Sequence, residues 1–431
     1  MKGVSLRGCA VVWLATGCGA AVAETSPGKF AIRIAGDATF SSVYVSQSYD
    51  AANSVSGSLD FANQFRLQIV PRAIADNGLE YGASLRLRAK GTDGLIDADQ
   101  AYLFADGAFG RLEAGVNASP NHQFGVTAPG GFGTGGVIGD WAEGQGRNTV
   151  INNQTTFLEP VFGGGYNNIT KSYWATRLSY FSPRVLTQED EYTGLMGYVS
   201  YAPRNLSVNT NANRGYRLTT VVPGASSGND FCSQQGTAPT LGCHYKNIAE
   251  AGFRYDGSFK KVSLVAGAAY ERGEAPTSNG ANPGGYYNLS AYQAGFQLGY
   301  AGVLIGGSYL NAGRSAYSRG TDLFLDDQST VTAGITYEMG PLVIGFNYAY
   351  GQDAGDPTVP GKRTANLYAT GASYVLSPGF VTGIEYLRSI TRNEAGFVTD
   401  GFGNDAQGSS AFTGFGSGNA TAILWKSVIS F

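Results

Sequence analysis

Leu59-Asp60-Phe61-Ala62-Asn63-Gln64-Phe65-Arg66-Leu67-Gln68-Ile69 alternates, with Leu59, Phe61, Phe65, Leu67 and Ile69 on one side and Asp60, Gln64, Arg66 and Gln68 on the other. The segment from Leu79 repeats the pattern, setting Leu79, Tyr81, Ala83, Leu85, Leu87 and Ala89 against Glu80, Ser84, Arg86, Arg88 and Lys90. Period two over segments of about ten residues is the trace of a strand between an apolar and a polar medium. In a soluble sandwich the apolar face is the core and the polar face the surface. In a barrel that crosses a bilayer the two are inverted, and alternation alone does not separate the cases.

Connector lengths break the tie. Tight turns rich in Gly, Pro and Asp are read at Asp106-Gly107, Asp256-Gly257-Ser258, Ala301-Gly302, Met339-Gly340-Pro341 and Ser377-Pro378-Gly379. Between them lie long polar stretches at 117–170, 203–246, 273–287, 314–327, 352–363 and 393–420. Short turns alternating with long loops are expected of an outer-membrane barrel and are rare in a compact soluble domain. Strands laid between these connectors start near 30, 60, 78, 96, 109, 171, 192, 247, 261, 288, 303, 328, 341, 364, 380 and 421. That is about sixteen, an even count, so a chain entering from the periplasm returns there and ends its last strand at Phe431. The expected fold is all-β, a transmembrane antiparallel barrel. Tyr44, Tyr81, Tyr180, Tyr201, Tyr255, Tyr270, Tyr300, Tyr309, Tyr337, Tyr348, Tyr374 and Tyr386 fall near strand ends, where interfacial girdles form.

Composition agrees. Charged residues are 14% of the chain and Gly is 63 of 431, against roughly 25% charged residues and half that Gly share in ordinary soluble domains. Residues 1–23 read as a secretory signal peptide: Lys2 and Arg7, an apolar run from Cys9 to Leu14, then Ala21-Val22-Ala23 before the expected cleavage. A lipoprotein reading of Cys18 is weaker, because Ala15 stands where Leu is usual. Beyond the signal no run of 18 apolar residues occurs, so the remaining 24–431 cannot span a bilayer as a helix and must do so as a closed barrel. Without Lys2 and Arg7 the 29 basic residues fall to 27 against 32 acidic ones, a net charge of −5 with no basic block, which argues against nucleic acid as a partner. Cys232 and Cys243 are then the remaining cysteines, and in an oxidising compartment they are expected to bridge, constraining the loop by roughly 3 kcal/mol.

Further matches are to a known family. Asp99-Gln100-Ala101-Tyr102-Leu103-Phe104, Phe109-Gly110-Arg111-Leu112-Glu113-Ala114-Gly115, Arg177-Leu178-Ser179-Tyr180-Phe181-Ser182-Pro183, Val199-Ser200-Tyr201-Ala202-Pro203 and Ile423-Leu424-Trp425-Lys426-Ser427-Val428-Ile429-Ser430-Phe431 resemble the Gram-negative porins. The resemblance implies a sixteen-stranded homotrimer in the bacterial outer membrane, a third extracellular loop folded into the lumen, and passive uptake of small hydrophilic solutes and ions. It also implies that the terminal Phe431, with alternate apolar residues before it and Ser427 as the break, is read by the outer-membrane assembly machinery.

A barrel of this size is wide enough for a channel, so selectivity rests on what narrows it. The 117–170 connection follows the fifth strand, as the family's constriction loop does, and carries Asp140, Glu143, Arg147 and Glu159. Arg66, Arg86, Arg88 and Arg111, with Arg33 and Arg177, fall on the lumen side of nearby strands. Arginines facing Asp140 and Glu143 would form an eyelet with a transverse field that disfavours apolar solutes. Ordinary pairing with Glu80, Asp97, Asp99 and Glu113 is the competing account.

Catalytic readings are weak. Gly131-Phe132-Gly133-Thr134-Gly135-Gly136 fits a dinucleotide-binding pattern but lacks the strand and helix that pattern needs, so no cofactor is expected. Gly224-Ala225-Ser226-Ser227-Gly228 has nucleophile-elbow spacing in a polar loop. His122 and His244 are the only histidines, and neither pairs with a nucleophile in sequence. An outer-membrane enzyme or an adhesin with a plugged lumen remains as the rival, and a solute-specific porin as the nearer alternative. Trp141 and Phe132 could belong to an aromatic slide or be packing anchors.

Overall fold

The computed structural model describes residues 30–47, 59–90, 96–138, 174–187, 193–204, 245–275, 284–315, 317, 319–320, 323–353, 360–394 and 416–431. Their strands are β1 (Phe30–Gln47), β2 (Leu59–Ile74), β3 (Glu80–Lys90), β4 (Ile96–Gly107), β5 (Gly110–Ala118), β6 (Trp174–Phe181), β7 (Gly194–Arg204) and β8 (Lys246–Phe259). They continue as β9 (Val262–Glu274), β10 (Leu289–Tyr300), β11 (Val303–Gly313), β12 (Gln328–Met339), β13 (Leu342–Asp353), β14 (Arg363–Ser377), β15 (Phe380–Glu394) and β16 (Gly416–Ser430). Each strand pairs with its neighbours in sequence, and β1 pairs with β16 from Asp37↔Ser430 to Gln47↔Ala420, closing an antiparallel barrel of sixteen strands. Closure removes the sheet edges that lipid could not satisfy.

One end of the barrel is built mostly of short turns, apart from the longer 182–193 connection between β6 and β7. Ala108-Phe109, Lys260-Lys261, Ala301-Gly302, Gly340-Pro341 and Pro378-Gly379 are two-residue connections, and residues 75–79 join β2 to β3. The connections at the other end are longer, apart from 91–95 between β3 and β4, and that end is the extracellular one by the rule that short turns are periplasmic. Fifteen strands begin within three residues of the positions expected from sequence, and β16 begins at Gly416 instead of 421. The turn expected at Asp256-Gly257-Ser258 is not there. β8 runs through it because Asp256 points inward to Arg184 (2.9 Å) and Arg254 (2.7 Å), and the chain reverses at Lys260, which takes φ 57°.

The outward face is apolar: Phe30, Ile32 and Ile34 are 57–66% exposed, as expected where lipid replaces water. Tyr44, Tyr201, Tyr270 and Tyr309 stand outward toward the extracellular end, and Tyr81, Tyr300, Tyr337 and Tyr374 toward the periplasmic end. The packed core lies inside the barrel, toward the long loops. One cluster joins Tyr245, Ile248, Tyr286, Leu289 and Leu310, and another joins Val43, Phe132, Val137, Leu367, Leu387 and Leu424. No helix among the described residues is long and apolar enough to cross a membrane.

Candidate functional site

After β5 the chain turns into the lumen. Ser119 caps a short helix, α1 (Pro120–Phe124), with Pro120 in its first turn, where a missing N–H costs nothing. From there residues 125–138 run along the inner wall. The Asn121 N–H donates to Glu250 Oε1 on β8 (2.5 Å), and its amide donates to Gln293 Oε1 on β10 (2.7 Å). Phe124 packs edge-on to Phe181, with ring centroids 5.3 Å apart. Gln297 Nε2 donates to Thr127 O (2.9 Å), and Asn347 Nδ2 on β13 donates to Pro129 O (2.7 Å). On β15, Glu385 Oε2 accepts from Thr134 N (2.7 Å), Thr134 Oγ1 (3.1 Å) and Gly136 N (3.0 Å).

The wall is shaped for this loop. Lumen-facing glycines pair across strands as Gly267↔Gly295, Gly306↔Gly334 and Gly345↔Gly371. A side chain at Gly295 would collide with Val126 O, and one at Gly345 with the Phe132 ring. Phe132, fully buried, is therefore a packing anchor. The Gly131–Gly136 motif serves the same end: Gly133, Gly135 and Gly136 take positive φ, and the amides of Thr134 and Gly136 converge on a carboxylate. Converging amides of this kind form an anion nest, and here it is filled by the protein's own Glu385.

The basic residues expected at the pore lie on strands away from the loop's anchors. Arg66 Nε donates to Asp37 Oδ1 (2.9 Å) and stands opposite Arg88 in register, while Gln68 stands opposite Arg86. Arg111 is held by Glu113 (2.8 Å), Asp106 (3.4 Å) and the face of Phe104 (4.5 Å). These four arginines sit half-buried on the lumen face. Arg177 differs. It faces inward but is 4% exposed, donating to Asn117 O (3.2 Å) and Ser200 Oγ (3.3 Å), with Glu250 at 3.9 Å. It supports the loop's root and does not border an open passage. Asp140, Glu143, Arg147, Glu159, Trp141, Cys232, Cys243 and His244 lie outside the described residues. Sequence reasoning did not single out Glu250, Asn347 and Glu385, since isolated polar residues in alternating strands look like any lumen residue.

A closed sixteen-stranded barrel, with a loop pinned inside it and a basic inner wall, can conduct small solutes. A family model described as Gram-negative porin matches residues 10–394. The chain belongs to the Gram-negative porins. This porin is an outer-membrane β-barrel and a diffusion channel. The anion-selective porin from Comamonas acidovorans has a similar fold, with TM-score 0.52, 14% identity, and 94% of this chain and 100% of that chain covered. OmpT of Vibrio cholerae in its trimer form is similar with TM-score 0.51, 11% identity and coverage of 93% and 99%. Salmonella typhi OmpF, in complex with daunomycin, is similar with TM-score 0.51, 13% identity and coverage of 92% and 97%. At these identities the likeness is one of fold. Comparison with curated protein sequences yields no match.

Proposed function

We propose that small hydrophilic solutes and ions cross this porin through an eyelet whose basic wall is Arg66, Arg86, Arg88 and Arg111 and whose acidic wall is Asp140 and Glu143. The observation that carries this reading is the placement of residues 119–138, which hydrogen-bond to strands from β8 to β15 and leave the inward arginines of β2, β3 and β5 facing the lumen. Opposed charges across a narrow aqueous gap orient water and dipolar solutes and raise the barrier to apolar ones. The chain acts without enzymatic chemistry.

The working unit is a homotrimer, by kinship with a fold whose solved members include a trimer form. Residues 1–23 direct export, Cys232 and Cys243 close a disulfide in the 203–246 connection, and Phe431 engages the assembly machinery. Intact mass before and after reduction and alkylation reads the disulfide: a gain of two alkyl groups only after reduction is expected. The eyelet is tested by planar-bilayer reversal potentials of Arg86→Ala and Arg88→Ala. Each is expected to lower anion relative to cation permeability, and wild-type ratios in both would overturn the eyelet.

A further inference from the structure

The inner wall of β8–β11 changes character above the loop's anchors. Ile248 shares the lumen side of β8 with Glu250, Leu289 and Ala291 share that of β10 with Gln293, and Leu310 of β11 stands opposite Gln293. These apolar residues face the lumen, yet Ile248, Leu289, Ala291 and Leu310 are 0–4% exposed. Tyr245 and Tyr286 pack over them in one cluster. Across the barrel, eight strands from β10, the inward Gln64 and Arg66 of β2 are polar and only half-buried. The extracellular mouth is therefore dry on one side and wet on the other.

A ribbon built above the rim holds the dry side in place. β10 and β11 pair as far as Tyr292↔Asn311, and their continuations meet again where Tyr287 N donates to Tyr317 O and Arg319 N to Gly285 O, both at 2.9 Å. Between the two pairings, Ser315 Oγ accepts from Ser290 N (3.0 Å) and donates to Ala312 O (2.6 Å), and Gln328 Nε2 on β12 donates to Ser315 O (2.7 Å). Gly285 and Gly313 take positive φ, 68° and 52°, a conformation glycine adopts at no steric cost. A Cβ at Gly284 would lie 2.9 Å from Gly320 N, so the two segments approach as closely as glycines allow. Arg319 sits over the Tyr287 ring at 5.0 Å, and Tyr317 is fully buried. Backbone pairing, burial and ring packing make this a fixed structure and not a fraying loop.

Below the ribbon, α1 is bonded to β8 and β10, so the dry side runs unbroken from the rim down to the loop. The periplasmic end carries no such ribbon among the described residues. We infer, given a passage along the arginine wall, that Tyr286 and Tyr317, held by the paired segments before β10 and after β11, form a fixed cover over the β8–β11 side of the extracellular mouth and set the width of solute that reaches the eyelet. A pore discriminates by its diameter as well as by its lining charge. Here the two are separated in space: width is selected at the cover, and charge at the arginines below it. A solute broader than the uncovered side is turned away before it meets them.

The test is polymer exclusion in planar bilayers, with neutral polyethylene glycols of graded mass added to one side of the full-length porin at a time. A polymer that enters a mouth lowers the conductance, so each side reports its own width. The wild type is expected to exclude smaller polymers at the extracellular mouth than at the periplasmic one. The Y286A/Y317A double variant, and separately Gly284→Val, should raise the extracellular cut-off in polymer mass by at least about twofold, since diameter governs entry, and leave the periplasmic cut-off unchanged. Both variants are first shown to migrate as folded barrels on unheated gels. Their reversal potentials stay at the wild-type value because no charged group is altered, so failure of the eyelet and failure of the cover leave different signatures. Equal cut-offs at the two mouths of the wild type, or an extracellular cut-off unmoved in the folded variants, would overturn the cover.

Discussion

Glu385 and Glu250 are the side chains on which the loop's position turns. Each is a buried strand carboxylate that accepts backbone N–H groups from the loop, Glu385 from Thr134 and Gly136 and Glu250 from Asn121. Glu385→Ala removes the acceptor of three bonds at once, so stability is expected to drop by about 2–3 kcal/mol, the scale for hydrogen bonds to a charged group. The readout is the temperature at which the folded gel band is lost, together with increased open-channel noise as the loop loosens. Glu385→Gln keeps an acceptor oxygen and should fall between. Arg177→Met probes the other end. It strands Glu250 without its nearest cation and should cost roughly 3–5 kcal/mol, while the ion permeability ratio stays at the wild-type value. Arg86→Ala should do the reverse. Burial, invisible in sequence, is what separates these two arginines.

At the scale of elements, strand positions were legible because lipid outside and water inside impose alternation on every strand. The exceptions are instructive. Asp256-Gly257-Ser258 has turn chemistry, yet Asp256 is drawn inward by Arg184 and Arg254 and the strand continues. The inner-wall glycines carry no signal of their own in the sequence, and their purpose appears only when Val126 and Phe132 are seen pressed on Gly295 and Gly345. The loop's descent into the lumen was expected from family resemblance, whereas its anchoring through Gly131–Gly136 was not. Gly345→Val should drive Phe132 off the wall and cost about 1–3 kcal/mol by overpacking, again read by the thermal loss of the folded band. The β10–β11 turn offers a gain instead. Ala301 and Gly302 both take positive φ, 50° and 84°, as in a type I′ hairpin. Asn tolerates that conformation better than Ala, so Ala301→Asn should raise stability by up to about 1 kcal/mol.

The whole molecule depends on closure and on what closure encloses. Phe431 exchanges two backbone hydrogen bonds with Gly36 (2.9 and 3.0 Å), and its ring lies over Gly36 and 6.0 Å from Phe65. The last residue thus staples β16 to β1 at the periplasmic end, a second use for a side chain proposed as an assembly signal. A Cβ at Gly36 would come within 2.8 Å of that ring. Gly36→Val should therefore reduce the fraction of folded, heat-modifiable barrel even with Phe431 intact. What the closed wall encloses is a passage narrowed by the loop and flanked by arginines. The central claim is that this passage is open to water. Single-channel recording of the wild-type protein in planar bilayers across a range of salt concentrations tests it most directly. Conductance rising in proportion to bulk conductivity, in steps that close in threes, is the expected result, and a correctly inserted barrel that passes no current would contradict it.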